Sequence, residues 1–128
     1  MMVDFGKGER ESLETARISD MSGAFEAFPG VVGKVIFSGH NLMFFLVDVK
    51  GEVPEHAHPH EQMGICLSGK AELVSGSQRA IVEAGTAYWL KPNERHSVRV
   101  IGNESATFLD VFSPPREDYL QRAKRPGK

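Results

Sequence analysis

The segment that decides the fold is residues 54–62, which read PEHAHPHEQ. Alternate residues of an extended chain point to the same side, so His56 and His58 project together and Gln62 has the same parity. Neutral imidazole and an amide oxygen are both ligands for divalent transition metals. The segment therefore predicts part of a metal site at the entrance of a strand, and the apolar run after Gln62 predicts the strand itself.

A further histidine, His96, lies far along the chain in an alternating segment. Residues 95–100 read RHSVRV, with His and Val at even positions and Arg and Ser at odd positions. This alternation predicts a strand with His96 on the apolar inner face and the arginines in solvent. A single inward histidine is more often a hydrogen-bonded core residue than a ligand. The metal-site hypothesis therefore depends on His96 meeting the first cluster.

Short runs rich in Val, Ile, Phe and Thr alternate with Gly, Pro and Asn from residue 31 onward, which is typical of sandwiches and barrels. Strands are predicted near residues 33–37, 42–49, 61–67, 70–74, 78–82, 87–90, 96–101 and 106–112. The two prolines at 114–115 end the last strand, because proline cannot donate to the ladder. A short C-terminal helix is predicted over 117–124. The pattern predicts an all-β jelly-roll barrel.

The length of 128 residues fits one domain with one core. We assign residues 1–28 to a loosely ordered N-terminal arm, 30–113 to the barrel and 114–128 to a C-terminal tail. Within the arm, residues 9–17 form either a short helix or no regular structure.

The composition, 41% hydrophobic and 25% charged, is that of a soluble globular protein. With a net charge of -2, nucleic acid and anionic membranes are not expected partners. The N-terminus shows no signal-peptide pattern and the longest apolar run is too short to span a bilayer, so a cytoplasmic location is expected. The single Cys66 excludes an intramolecular disulfide and is expected to be a small buried residue rather than a nucleophile.

Residues 106–116, ATFLDVFSPPR, carry a carboxylate and an arginine near the end of the barrel. Strand alternation places Asp110 on one face with Phe108 and Phe112. A buried carboxylate needs a partner or a function, so Asp110 is either a structural residue or a general acid/base. Arg116 follows the rigid Pro-Pro corner and is either a surface residue or a guanidinium folded over the barrel mouth to bind a carboxylate.

These motifs resemble those of the cupin family. Residues 54–69 resemble the first cupin motif, and Gly85 through His96, eleven residues later, resembles the second. The resemblance covers residues 30–120 and implies a jelly-roll barrel that binds one divalent transition metal ion, namely zinc, nickel, iron, cobalt or manganese. The ligands implied by the resemblance are His56, His58, Gln62 and His96.

Two departures from the cupin motifs affect this interpretation. Residue 62 is glutamine where the family usually has glutamate, and the proline and glycine of the second motif are displaced at residues 91–93. A neutral ligand leaves the metal its full charge, which favours Lewis-acid chemistry over redox cycling. Glu61 is an alternative ligand, although its parity is wrong for a regular strand. His60 shares the parity of the cluster but follows Pro59 at the rim.

The combination of HPHEQ at 58–62 and DVFSPPR at 110–116 resembles a narrower group, the KdgF-type cupins of pectin and alginate breakdown. This resemblance implies an enzyme that converts cyclic 4,5-unsaturated monouronates to the linear keto form, with a small carboxylated sugar as substrate. It implies Asp110, Phe112 and Arg116 as active-site residues. The alternatives are a metal-dependent dioxygenase or lyase on another small acid, a non-catalytic sugar- or metal-binding module, and a purely structural metal.

Small cupins also resemble one another in pairing as dimers, through the barrel sheet or through exchanged N-terminal strands, so a homodimer is expected. Residues 42–47, LMFFLV, are apolar on both faces of the predicted strand. This run is either a fully buried strand or a surface for a partner chain.

Overall fold

The computed structural model describes residues 13–123, which form ten strands and one short helix. The strands are β1 (Phe25–Phe28), β2 (Val31–Ser38), β3 (Met43–Val49), β4 (Glu52–His56), β5 (Glu61–Ser68), β6 (Lys70–Ser75), β7 (Gln78–Glu83), β8 (Ala87–Leu90), β9 (His96–Val100) and β10 (Ala106–Ser113). The helix is α1 (Glu117–Ala123). Within this range no helix has the length and apolar character needed to cross a membrane.

The strands form two antiparallel sheets. The larger has six strands in the order β1-β2-β3-β10-β5-β8, and the smaller has four in the order β4-β9-β6-β7. The chain therefore crosses repeatedly between the sheets, as a jelly roll requires. Side chains from both sheets meet in one core, with Phe45 and Phe108 from the larger sheet and Ala71 and Val82 from the smaller. The predicted all-β jelly-roll barrel is confirmed.

Strand β10 lies in the larger sheet between β3 and β5. Its inward residues Ala106, Phe108, Asp110 and Phe112 are all buried, as the alternation predicts. The fold thus places a carboxylate in the apolar inner wall of the barrel. Cys66 on the neighbouring β5 is also buried, and burial raises the pKa of its thiol, as expected for an inert core residue.

Residues 43–47 of the doubly apolar run lie in β3, between β2 and β10. Phe45 points into the core, where its ring fills the space over Gly33; a Cβ at position 33 would lie 2.0 Å from that ring. On the outer face Leu46 is buried, whereas Phe44 is 38% exposed. The run is therefore a core strand on one side and part of an apolar surface on the other.

All eight predicted strands are present within a few residues of their predicted bounds, and β1 and β4 were not predicted. β4 contains Pro54, which argues against a strand but is tolerated because β4 is an edge strand of the smaller sheet. β1 is only four residues long and removes residues 25–28 from the segment assigned to the arm. Residues 13–17 are not helical, and residues 9–12 lie outside the described range.

Helix α1 packs against β1 and β2 and ends the described chain close to its predicted bounds. The buried Tyr119 stacks on Phe45, with ring centroids 4.4 Å apart. Arg122 donates to the backbone carbonyl of Ala27 at 3.4 Å and lies over the ring of Phe25. The Tyr119 contact holds the start of the helix, and the Arg122 contacts hold its last turn, so that Arg116 lies beside the barrel interior.

Candidate active site

The three histidines predicted as ligands converge in the barrel interior. His56 ends β4 and His96 begins β9, and the two are paired across these antiparallel strands. His58 lies in the loop that leads to β5 and is buried. Ring centroids are 4.4 Å apart for His56 and His96 and 5.2 Å apart for His58 and His96. Candidate ligand nitrogens of all three lie within 4.8 Å of one another, so the group is placed to hold one metal ion.

Each of the three rings is oriented by a backbone carbonyl two residues away. The distances from Nδ1 to the carbonyl oxygen are 2.9 Å for His56 and Pro54, 3.1 Å for His58 and His60, and 2.8 Å for His96 and Glu94. Because a carbonyl oxygen can only accept, Nδ1 carries the proton in each ring and Nε2 keeps its lone pair. This tautomer leaves Nε2 available as the metal ligand in all three rings.

Gln62 of β5 lies beside the histidine cluster. Its side-chain Oε1 lies 3.1 Å from Nε2 of His58. A neutral imidazole has only one N–H, which here faces the carbonyl of His60, so two lone-pair atoms face each other. A divalent cation bound by both atoms would remove this conflict, because each would then share its lone pair with the ion. The donor set therefore fits a divalent ion.

Burial lowers the pKa of all three histidines. For His58, burial and then the nearby charge of Arg116 lower the pKa to about 4. The pKa values of His56 and His96 are also lowered, chiefly by burial. The rings are therefore neutral near pH 7, which is the state that binds a metal ion.

Asp110 faces the same cavity from β10. Across the larger sheet it is paired with Gly64 of β5, which is paired in turn with Tyr88 of β8. The hydroxyl of Tyr88 donates to Oδ1 of Asp110 at 2.5 Å, across the space left by the glycine. A Cβ at position 64 would lie 2.2 Å from that carboxylate oxygen, so only glycine fits there.

Burial raises the pKa of Asp110 to about 6, against the opposing effects of hydrogen bonds from Tyr88 and Gln62 and of the charge on Arg116. The carboxylate therefore titrates close to neutral pH. Burial and the adjacent carboxylate raise the pKa of Tyr88, so its hydroxyl stays a donor. Tyr88 was not predicted as a site residue. Its parity on the strand was visible in the sequence, but its position opposite Gly64 was not.

Arg116 lines the same cavity and is 7% exposed, so it is folded inward rather than lying on the surface. Its guanidinium donates from Nε and Nη2 to the two carboxylate oxygens of Asp118, at 3.2 and 2.8 Å. It stacks 3.8 Å from the ring of Tyr119 and lies 5.0 Å from that of Phe112. The structure thus brings Arg116, Phe112 and Asp110 to the histidine cluster.

The two alternative ligands differ in position. Glu61 accepts a hydrogen bond from the indole of Trp89 at 2.7 Å and is not part of the described histidine cluster. The ring of His60 lies 5.5 Å from that of His58 and 6.5 Å from that of Phe112. Its Nδ1 is buried without a hydrogen-bond partner among the described residues, so His60 borders the cluster without joining it.

Comparison with known proteins agrees with this architecture. A model of the cupin domain matches residues 43–112, more than half of the chain. The chain belongs to the cupin family. This cupin is 34% identical over 94 residues to the pectin degradation protein KdgF of Dickeya dadantii, and the alignment covers 71% of this chain and 84% of KdgF.

Three further proteins match this cupin at lower identity. The cupin is 31% identical over 78 residues to the H2HPP isomerase of Bacillus subtilis, and this match covers 61% of this chain but 33% of that protein. The structure of KdgF from Halomonas sp. matches with a TM-score of 0.70 at 25% identity, over 79% of this chain and 95% of that one. An RmlC-like cupin from Shewanella frigidimarina matches with a TM-score of 0.74 at 23% identity, over 84% and 96%, which shows the fold alone.

Proposed function

We propose that this cupin is a metal-dependent enzyme that acts on a small carboxylated sugar. The reaction we propose converts cyclic 4,5-unsaturated monouronates from pectin or alginate to the linear keto form. The observation that carries the proposal is that one cavity is lined by members of the histidine–glutamine cluster, a buried carboxyl group and a buried guanidinium. The similarity to KdgF, named as a pectin degradation protein, supports the substrate class.

The proposed reaction is an isomerisation, so every atom of the substrate is kept. The bond between C1 and the ring oxygen breaks, and the anomeric hydroxyl loses its proton as C1 becomes an aldehyde. The ring oxygen remains on C5 as an enol, which becomes a ketone when C4 gains a proton. The enzyme therefore needs one group that removes a proton and returns one.

The residues His56, His58, Gln62 and His96 are proposed to hold one divalent ion. When bound, the ion supplies Lewis-acid polarisation of a sugar oxygen. The donor set accepts zinc, nickel, iron, cobalt or manganese. The contribution of the chain is orientation, because carbonyl contacts of Nδ1 keep each Nε2 unprotonated and directed into the cluster.

Asp110 is the group proposed to move the proton. It is 5% exposed and lines the cavity beside the cluster, and its pKa of about 6 lets it act as a base near neutral pH. The hydrogen bond from Tyr88 holds Oδ1 in place, so Oδ2 is the atom assigned to proton transfer.

Arg116 is proposed to bind the sugar carboxylate. Asp118 takes up N–H groups of Nε and Nη2, which leaves those of Nη1 for a second carboxylate. Stacking on Tyr119 fixes the plane of the guanidinium. Phe112 packs edge-on to His58, with centroids 5.5 Å apart, and is placed to contact the sugar ring and exclude water.

The proposal is tested by proton NMR of metal-loaded protein with 4,5-unsaturated galacturonate and with its alginate-derived counterpart. We expect the vinyl signal to disappear faster with wild type than with Asp110→Asn, by about a hundred- to ten-thousandfold. The matched control is Asp48→Asn, the same substitution at an aspartate that accepts from Thr107 on the neighbouring strand, and it should keep full activity.

Other outcomes would replace the proposal. Full activity of Asp110→Asn would remove Asp110 from the mechanism. Sugar binding without product would indicate a non-catalytic binding module, and oxygen consumption by the iron-loaded protein with another small acid would indicate a dioxygenase. A metal that changes only the melting temperature would indicate a structural role.

We also propose a homodimer formed through the outer face of the six-stranded sheet. Phe44, Val111, Met63 and Trp89 lie side by side across four neighbouring strands. Three of them, Phe44, Met63 and Trp89, are 38%, 51% and 56% exposed. An apolar face of this kind suits the same face of a second copy. Light scattering should give twice the chain mass for wild type and the single mass for Met63→Glu; a monomeric wild type would exclude the dimer.

A further inference from the structure

Gln62 uses the two ends of its side-chain amide for different partners. Oε1 faces Nε2 of His58 at 3.1 Å, on the side of the proposed metal ion. Asp110 is the neighbour on the other side: Gln62 and Asp110 are both buried, line the same cavity and lie diagonally across the paired strands β5 and β10, with Gln62 opposite Phe112 and Asp110 opposite Gly64. Hydrogen bonding from Gln62 is one of the influences that lower the pKa of Asp110, and because a carboxylate only accepts, the NH₂ group is the donor. One side chain is thus an acceptor toward the cluster and a donor toward the carboxylate.

The position of the Asp110 carboxylate is fixed by residues other than Gln62. It occupies the space above Gly64, where a Cβ would lie 2.2 Å from Oδ1 and 2.5 Å from the Tyr88 hydroxyl and ring. The Tyr88 hydroxyl fixes Oδ1 from the far side at 2.5 Å. The acceptor that faces Gln62 therefore has a fixed position, and it determines which way the amide turns.

We propose that Asp110 is the positioning residue for Gln62, so that the glutamine at 62 and the aspartate at 110 are a matched pair. The inference rests on the proposed metal centre and assigns Asp110 a second task beside proton transfer. An ionised glutamate at 62 has no N–H to donate, so it would set acceptor against acceptor beside Asp110. This accounts in physical terms for glutamine where the cupin motif usually has glutamate.

The pairing predicts that a glutamate at position 62 becomes acceptable once residue 110 can donate. In Gln62→Glu combined with Asp110→Asn, the new amide donates to the carboxylate at 62 and still accepts from Tyr88. In Gln62→Glu combined with Asp110→Ala, the charge of residue 110 is gone but no donor replaces it. The comparison of these two double variants separates a hydrogen-bond match from a simple removal of charge.

The experiment measures zinc affinity by isothermal titration at pH 7.5 and the melting temperature of each metal-free protein. The proteins are wild type, the single variants Gln62→Glu, Asp110→Asn and Asp110→Ala, and both double variants. We expect Gln62→Glu to be at least about tenfold less favourable for zinc binding in the wild-type background than in the Asp110→Asn background, as found when partners of metal ligands are changed. The melting temperatures should show the same coupling, with rescue by Asp110→Asn and none by Asp110→Ala.

Equal effects of Gln62→Glu in the wild-type and Asp110→Asn backgrounds would overturn the pairing, and so would equal rescue by Asp110→Asn and Asp110→Ala. The matched control, Asp48→Asn combined with Gln62→Glu, removes one charge on a neighbouring strand and should not rescue. If wild type binds no zinc and no other candidate ion, the metal centre fails, but the melting temperatures still decide the pairing.

Discussion

The two sheets of this cupin contribute to the candidate site in different ways. The four-stranded sheet supplies His56 and His96, whose rings are held by backbone carbonyls two residues away. The six-stranded sheet supplies Gln62, Asp110 and Tyr88, which are held by hydrogen bonds among their own side chains. The histidine half of the site, which consists of His56, His58 and His96, is therefore oriented by local chain geometry. The six-stranded half, which consists of Gln62, Asp110 and Tyr88, is oriented by contacts between distant segments.

This difference determines how each half responds to substitution. A backbone carbonyl stays in place when a neighbouring side chain changes, so the histidine half should tolerate changes around it. A network of side chains loses a partner for each member that is removed, and a buried acceptor without a partner costs about 1–3 kcal/mol. The six-stranded half should therefore be sensitive to residues that never touch the substrate.

The largest effect is expected in the histidine half. His96→Ala removes one of three ring nitrogens that lie within 4.8 Å of each other, and we expect the affinity for a divalent ion to fall by more than about a hundredfold, beyond the usual effect of changing a ligand's partner. Activity in the uronate assay should be lost with it. Isothermal titration and metal analysis of the purified protein measure the change.

The control for this prediction is His40→Ala, because His40 is an exposed histidine in the turn between β2 and β3. It should keep the affinity of wild type. Undiminished metal binding by His96→Ala would contradict the metal centre and return His96 to the role of a hydrogen-bonded core residue.

The histidine half is also the half that the sequence predicts. The parity of His56 and His58, and the alternation around His96, are local features, and the carbonyls that orient the rings lie two residues away. Only the approach of His96 to His56 and His58 depends on non-local contacts, and it was predicted from the family resemblance. The fold is predictable for the same reason, since eight of its strands are local runs rich in Val, Ile, Phe and Thr that are bounded by Gly, Pro and Asn.

The six-stranded half is less predictable because its contacts depend on strand register. The sequence indicates that Asp110 faces inward, but it does not indicate that Gly64 lies opposite or that Tyr88 follows on the next strand. The sequence did not predict strand β4 either, because Pro54 argues against a strand unless that strand lies at the edge of a sheet. Pairing partners are fixed by the assembled barrel rather than by any one segment.

Gly64→Ala tests the six-stranded half directly. The added Cβ would lie 2.2 Å from Oδ1 of Asp110 and 2.5 Å from Tyr88, so the two side chains must separate or move. We expect a loss of about 1–3 kcal/mol in the free energy of unfolding, as for other overpacked cores. Urea denaturation of the metal-free protein measures it.

Gly39→Ala is the matched control, because the nearest atom to its added Cβ is 3.5 Å away, an ordinary contact, and its φ is not positive. Its effect should stay within about 0.5 kcal/mol. Equal stability of the two variants would mean that the Tyr88–Asp110 contact adjusts at little cost, and the contrast between the halves would disappear.

The smallest effect is expected at the edge of the site, where Asp118 orients Arg116. Asp118 binds two guanidinium nitrogens, but its side chain is 56% exposed, so the loss of stability in Asp118→Ala should stay below about 1 kcal/mol. In this variant the guanidinium keeps its stacking on Tyr119 and loses only the two hydrogen bonds that fix its rotation. We therefore expect KM for the uronate to rise severalfold with little change in kcat, as steady-state kinetics would measure.

Glu117→Ala separates this orientation from general charge. Glu117 and Asp118 are both acidic residues in the first turn of α1, so either substitution removes one negative charge and the same favourable interaction with the helix N-terminus. Of the two, Asp118 is the one that bonds to the guanidinium of Arg116. If both variants raise KM equally, the effect is one of charge, and if KM falls in Asp118→Ala, Asp118 competes with the substrate for the guanidinium instead of positioning it.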